Sequence, residues 1–530
     1  MKVTISSRYL ELPVSDTAQT KTVTFSQNGH LMLDLAVQLD PVKPEMTQFA
    51  DMRHFLGMEL DLCCEPAVEW SPRLLDTPPS EGVYRERLRP RVHFSASRGW
   101  INDPNGLVWY EGLYHLFFQY NPAGSVWGNM HWGHAVSTDL VHWKEREIAL
   151  FPDETGTMFS GSAVVDFDNR TGLQEGSVPV ILLFYTAAGG SSRLSEGQPF
   201  TQCLAYSTDG GETFRKYARN PLIPLCAEGN RDPKVHYDAQ SDTHLLALYL
   251  IDHQFAVFRS KNLLDWEMEQ EIELPGDREC PDLYPLPLEG EERWVFSGAS
   301  DRYFVGSLKD GRFWPEQLSG QLHYGKNSYA AQTFSNLPET GRIVRMAWNT
   351  SPLPHVPFQG AMCTPAEMTL RRIDGKVYLC TWPVRELKAL ERDTRTVTAR
   401  AEAGKTWEME LDGAAQDIQL TWKPLPDSPF RMTLFGLEIK VLPGENSLVC
   451  KDCTMPLYAR EETVRLRILT DTHSTELYAD QGEAHLCIAH IVDFSLSRLE
   501  LHAEASPVQL TARVSRLASV WETEGQQSDA

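Results

Sequence analysis

The chain has 530 residues and a mass of 60.0 kDa, which exceeds one ordinary domain and allows two or three. Hydrophobic residues make up 42%, ample for real cores, and the formal net charge is −23. That acidity argues against nucleic acid and anionic membranes as partners and suits a neutral polar substrate.

The first residues, Met1-Lys-Val-Thr-Ile-Ser-Ser-Arg8, lack the apolar stretch of a secretory leader, and no long apolar run follows. The expected location is therefore cytoplasmic, or secreted if a leader has been trimmed. Residues 1–80 alternate apolar and polar: Val23 and Phe25, then Leu31, Leu33, Leu35, Val37 and Leu39, with Asn28-Gly29 between them. This pattern predicts a hairpin in a small N-terminal β domain, for packing against the rest of the chain or for binding sugar. Ser71 to Arg91, rich in proline and charge, reads as a linker.

Residues 81–385 carry an internal repeat of polar motif, strand, turn and strand. The five motifs are Trp100-Ile-Asn-Asp-Pro-Asn-Gly106, Phe159-Ser-Gly-Ser162, Arg231-Asp-Pro233, Glu279-Cys-Pro-Asp282 and Tyr329-Ala-Ala-Gln-Thr-Phe334. A second motif recurs at the outer turns: Ser137-Thr-Asp139, Ser207-Thr-Asp209 and Ser260-Lys-Asn262. Repeat starts near 103, 160, 232, 282 and 332 suit one four-stranded blade each, so the region reads as a five-bladed propeller. The innermost strands of a propeller share one axial funnel. Asp103, Asp232 and Glu279, though far apart in sequence, are thereby expected to converge. In the first motif, Pro104 holds Asp103 extended and Asn105-Gly106 is expected to form a turn.

Beyond the propeller, residues 386–400 read as a helical connector and 401–521 return to short alternating strands, a β-sandwich. The polar tail 522–530 reads as disordered. The ten cysteines are expected to be free thiols, Cys450 and Cys453 included, because a lone C-x-x-C lacks a second pair for zinc. His131 and His134 do not form a metal pair on a strand, where i and i+3 point to opposite faces. The fold class is thus all-β: a small N-terminal β domain, a five-bladed β-propeller and a C-terminal β-sandwich.

Four of these motifs in this order, Asn102-Asp-Pro-Asn-Gly106, Phe159-Ser-Gly-Ser162, Arg231-Asp-Pro233 and Glu279-Cys-Pro-Asp282, resemble the motif set of the glycoside hydrolase family 32 β-fructofuranosidases: invertases, fructanases, levanases and inulinases. The sandwich signature is echoed by Leu466-Arg-Ile-Leu-Thr-Asp471 and Glu476-Leu-Tyr-Ala-Asp-Gln-Gly-Glu483. Ile101 stands where many relatives carry methionine, a conservative apolar exchange. Tyr9-Leu-Glu-Leu-Pro-Val-Ser-Asp16 is similar to an extra β domain ahead of some bacterial levanase-like members, which tilts the expected substrate toward fructan.

The resemblance implies Asp103 as nucleophile, Glu279 as general acid and base, and Asp232 as transition-state stabiliser. A retaining glycosidase uses two carboxyl groups about 5 to 5.5 Å apart, one attacking the anomeric carbon and one protonating the leaving oxygen. Arg231 would limit repulsion among the three acids. Asn102, Gln119, Trp127, Phe159, Ser160 and Trp348 are further candidate subsite residues, with blade packing an equal reading for Trp127 and Trp348 and a satisfied core amide an equal reading for Gln119. No metal or organic cofactor is implied.

The expected activity is retaining release of terminal β-D-fructose from levan, inulin, fructo-oligosaccharides and sucrose. A sucrose or sucrose-6-phosphate hydrolase is the narrower alternative, and a non-catalytic fructan-binding protein on the same scaffold is the alternative of another class. The expected partners are β-fructosides, small or polymeric, with neither nucleic acid nor membrane, and the expected assembly is a monomer or homodimer.

Overall fold

The computed structural model describes residues 1–425, 428–460 and 462–521; the tail 522–530, expected to be disordered, lies outside the described residues. No helix among the described residues is long and apolar enough to cross a membrane. Strands dominate, as the period-2 alternation along the chain requires.

At the N-terminus a four-stranded sheet orders Lys2–Thr4, Glu59–Glu65, Lys21–Gln27 and His30–Val37. A three-stranded sheet orders Met46–Asp51, Tyr9–Val14 and Arg73–Leu75. The alternating side chains Leu10, Leu12, Val23, Phe25, Leu35 and Val37 meet between the sheets as one core. The last strand falls in the stretch expected to be a linker, because its Leu74 and Leu75 find partners on Leu10 and Tyr9. Nor is the remainder of that stretch loose. Arg89 is fully buried, donating to Ser95 Oγ and the Ala96 carbonyl, and Tyr84 stacks on Trp521 at 4.2 Å.

Five sheets follow in chain order. Their innermost strands are Gly99–Tyr110, Thr157–Asp166, Arg231–Asp238, Asp282–Leu288 and Tyr329–Thr333, and each pairs outward in sequence with the strands that follow it. This is a five-bladed propeller. Its ring closes where Phe358–Gln359, from the last blade, pairs in parallel with Gly99–Trp100 of the first. The recurring outer motif is a turn device. In blades 1 and 2 the Ser137 and Ser207 hydroxyls bond Asp139 and Asp209, and in blade 3 Ser260 bonds Asn262. Each of those residues accepts backbone N–H groups two to four positions on, the Asx-turn pattern.

A 3-10 helix, Arg385–Leu390, buries Leu387 and Leu390 and leads into two six-stranded sheets with a shared apolar core. The connector expected over 386–400 is therefore shorter. Strand Glu391–Ala401 already pairs with Val508–Leu517, since the threonine-rich run Thr394 to Thr398 favours extended backbone once a partner is beside it. All ten cysteines are free thiols, and Cys450 faces Cys453 across a two-residue hairpin turn.

Candidate active site

Four of the five innermost strands carry one extra residue at the motif itself. The register slips between Ile101 and Pro104, Phe159 and Gly161, Arg231 and Lys234, and Tyr329 and Gln332. A bulge re-aims the side chain it carries, and here it turns Asp103, Ser160 and Asp232 toward one place. Proline after Asp103, Asp232 and Cys280 suits these positions, because it has no N–H to lose from the ladder. The fourth motif acts just before its strand. Glu279 and Cys280 have φ of 57° and 39°, and Asp232 has φ of 65°, a left-handed conformation uncommon for residues that carry a side chain. Asn105-Gly106 does not form the expected turn. It continues one strand, Gly99–Tyr110, with Gly106 at φ 59° in a second bulge, where a Cβ would meet the Phe117 ring at 2.7 Å.

Asp103 and Asp232 share one hydrogen-bonded cluster, and Glu279 adjoins it through Arg231, whose Nε lies 4.0 Å from Asp232 Oδ2. Ser160 Oγ donates to Asp103 Oδ2 at 2.7 Å, and Asn102 Nδ2 donates to Oδ1 at 3.0 Å. The Cys280 thiol lies 3.5 Å from Asp103 Oδ2 and 3.5 Å from Asp232 Oδ2, so those oxygens are no farther apart than twice that distance. The Cys280 N–H donates to Asp232 Oδ2 at 3.0 Å. Both oxygens of Glu279 are held: Arg231 Nη2 donates to Oε1 at 2.6 Å, and the Tyr329 hydroxyl donates to Oε2. Thr186, whose hydroxyl donates to Gln202 Oε1, accepts the Asp232 N–H and so fixes the strained residue from the second blade.

Burial pushes the Asp103 carboxyl up; the Ser160 and Asn102 donors oppose that, and the charge of Glu279 adds to it. Asp232 is pushed up to about 7, first by burial and further by Asp103 and Glu279, while the Arg231 guanidinium pulls it down.

A family model, the glycosyl hydrolases family 32 N-terminal domain, matches residues 93–383. The chain belongs to glycosyl hydrolase family 32. It is 32% identical to a levanase of Bacillus subtilis over 503 residues, spanning 83% of this chain and 72% of the levanase. Against an extracellular exo-inulinase of Aspergillus niger the identity is 33% over 481 residues, 76% of this chain and 89% of the relative. A crystal structure of the exo-inulinase from Aspergillus awamori superposes with a TM-score of 0.76 at 26% identity, covering 83% of this chain and all of that one. As a family 32 member, the chain is a glycoside hydrolase acting on fructosides.

Around the family 32 acids, the expected residues divide. Asn102, Ser160 and Arg231 join the cluster directly. Trp127 is 55% exposed at the rim, edge-on to Phe159 at 5.8 Å. Trp348 packs edge-on to Trp100 at 5.8 Å, and Trp100 Nε1 donates to Asn102 Oδ1. Gln119 is buried and donates to Asn105 Oδ1 at 3.4 Å, one strand back from the acids. Three contributors were not foreseen: Tyr329, Cys280 and Thr186. Tyr329 opens the fifth repeat where the other repeats place their motifs, and Cys280 stands inside a quoted motif, so position alone could have flagged both. Asp282 of the same motif turns away, accepting from the Thr333 N–H at 2.7 Å and lying 3.6 Å from Lys234 Nζ, and it ties blades 3, 4 and 5 at the axis.

Proposed function

We propose that this chain is a retaining β-fructosidase that releases terminal β-D-fructose from fructans, fructo-oligosaccharides and sucrose by double displacement. The observation that carries the reading is the single cluster formed by Asp103, Asp232 and Glu279 from three different blades, with both Glu279 oxygens held by Arg231 and Tyr329. In the first step an Asp103 oxygen attacks the anomeric carbon while Glu279 gives its proton to the leaving oxygen. The product is a fructosyl ester on Asp103 and a free leaving sugar. In the second step Glu279 takes a proton from water as that water attacks the anomeric carbon from the face the leaving sugar vacated, opposite Asp103; the Asp103 carboxylate departs, and the two inversions together retain the configuration.

Asp232 grips fructose hydroxyls, and its partly protonated state near neutrality lets it donate as well as accept. Arg231 neutralises charge among the acids. The aromatic faces of Trp127 and Phe159 at the rim offer apolar surface to the C–H faces of the sugar.

Separate incubation with sucrose, inulin and levan followed by product chromatography tests the reading. The expected product is free fructose from all three without an oligosaccharide ladder. Asp103→Asn and Glu279→Gln are each expected to lower kcat by about three orders of magnitude or more. A ladder would replace terminal release with internal cutting. Hydrolysis of sucrose alone would favour the narrower sucrose hydrolase, and undiminished release by either variant would remove the residue roles.

A further inference from the structure

The rim of the funnel on the side of the first blade is formed by residues 122–129, which join strands Leu113–Asn121 and His131–Ser137. Its exposed Trp127 begins an aromatic file. Trp127 is edge-on to Phe159, Phe159 is edge-on to Phe200 at 5.6 Å, and Phe159 directly precedes Ser160, the residue that donates to Asp103.

This connection is anchored from within the propeller, where Asn121 Nδ2 donates to the Val126 carbonyl at 2.8 Å, and from the N-terminal domain. Ala123 is fully buried as part of the apolar core of the N-terminal domain. Ser125 Oγ donates to Asp16 Oδ1 at 2.6 Å, and the Phe49 N–H reaches the Pro122 carbonyl at 3.4 Å. The link with the most hydrogen bonds is at Asn129, two residues from Trp127. Its Oδ1 accepts the Ala36 N–H at 2.8 Å, and its Nδ2 donates to the Ala36 carbonyl at 2.9 Å and to Asn121 Oδ1 at 3.1 Å. Ala36 lies on the edge strand His30–Val37, whose outward N–H and C=O otherwise have no ladder partner. One primary amide satisfies both groups as a single rung of sheet. Asparagine also accepts the left-handed backbone at this position, φ 47°.

We propose that the N-terminal domain acts through Asn129 as a positioning device for Trp127 and thereby sets the affinity of the funnel for its fructoside, an inference that rests on the fructosidase reading above. An aspartate at 129 would keep the acceptor and set a second oxygen against the Ala36 carbonyl. An alanine would lose all three bonds.

The test measures KM and kcat on sucrose and on inulin for the full chain and for Asn129→Ala, Asn129→Asp, Trp127→Ala and the Asn129→Ala/Trp127→Ala double variant. The two Asn129 variants are expected to raise KM about fivefold with kcat within about twofold, the signature of lost binding without lost chemistry. Trp127→Ala is expected to raise KM about tenfold, and the double variant to match it, because a residue acting through Trp127 adds nothing once that ring is gone. Additive effects, or a wild-type KM in the Asn129 variants, would overturn the proposal. Glu147→Gln weakens a different contact with the domain, the one to Arg8 and Arg53, and is expected to leave KM unchanged. A rise equal to that of Asn129→Ala would mean general loosening and also defeat the proposal. If Asn129→Ala fails to fold, Ser125→Ala gives the milder version, with KM up about twofold expected and no change contradicting the proposal. Absence of fructose release by the wild-type chain would instead remove the fructosidase reading itself.

Discussion

Asp232 is the residue at which function and stability oppose each other most clearly. Its carboxyl is buried beside two other acids and held up to about 7, above the ordinary value of 3.8. A carboxyl raised in the folded state favours folding while it is protonated. That contribution is complete below about pH 4 and is lost as pH rises through about 7. Asp232→Asn removes the buried charge and keeps an oxygen for the Cys280 N–H. The stability of the variant relative to wild type, read from thermal melts, is therefore expected to climb between about pH 4 and about pH 7, by at most about 4 kcal/mol. Activity is expected to fall in the same variant. A pH-independent difference between the two melting curves would place the strain elsewhere.

At the scale of the element, the innermost strands do more than carry residues; their bulges aim them. Gly161 sits in the register slip beside Ser160, and a Cβ there would lie 1.9 Å from the Phe184 carbonyl oxygen. That backbone is the paired strand Val180–Ala188 of the same blade and cannot give way by so much. Gly161→Ala is expected to cost about 3 kcal/mol or more, with circular-dichroism melts as the readout, and to displace Ser160 from Asp103 in whatever protein still folds. A variant with wild-type stability and activity would show that the bulge is not needed. Much of this was legible beforehand. The Asp-Pro pairs, the spacing of the five motifs and the Ser-x-Asp turns are local signals, and they lead to the same blades that the strand pairing forms. Less legible was whatever pairing partners decide. Asn105-Gly106 has the composition of a turn, yet the continuous ladder to Leu113–Asn121 absorbs it as a bulge. The charged, threonine-rich run after Leu390 resembles a connector until Val508–Leu517 lies beside it. Thr186 has no motif at all, and its role follows only from its strand ending next to Asp232.

For the whole molecule, the propeller and sandwich meet across a fully buried ion cluster. His93, just before the first blade, has Nδ1 2.8 Å from Asp471 Oδ2 and Nε2 3.5 Å from Glu476 Oε1, both acids belonging to the sandwich signature. Burial opposes its charge, but the two carboxylates win and lift the imidazole up to about 10. Raised above its ordinary 6.5, His93 contributes stability that is complete below about pH 6.5 and is lost as pH climbs through about 10. His93→Gln leaves two buried carboxylates facing a neutral group and is expected to cost about 3 kcal/mol near neutrality. The gap to wild type should narrow toward pH 10 in thermal melts; a constant gap would mean that His93 is neutral in the fold. Beneath all of this lies one claim: circular repetition of a sheet brings Asp103 against the anomeric carbon of a fructoside. The most direct measurement is mass spectrometry of the Glu279→Gln variant after brief incubation with an activated β-fructoside, whose good leaving group needs no acid and whose ester intermediate then lacks its general base. The account predicts a fructosyl mass increment on the peptide containing Asp103. An increment on any other carboxylate, or turnover with inversion and no increment, would contradict it.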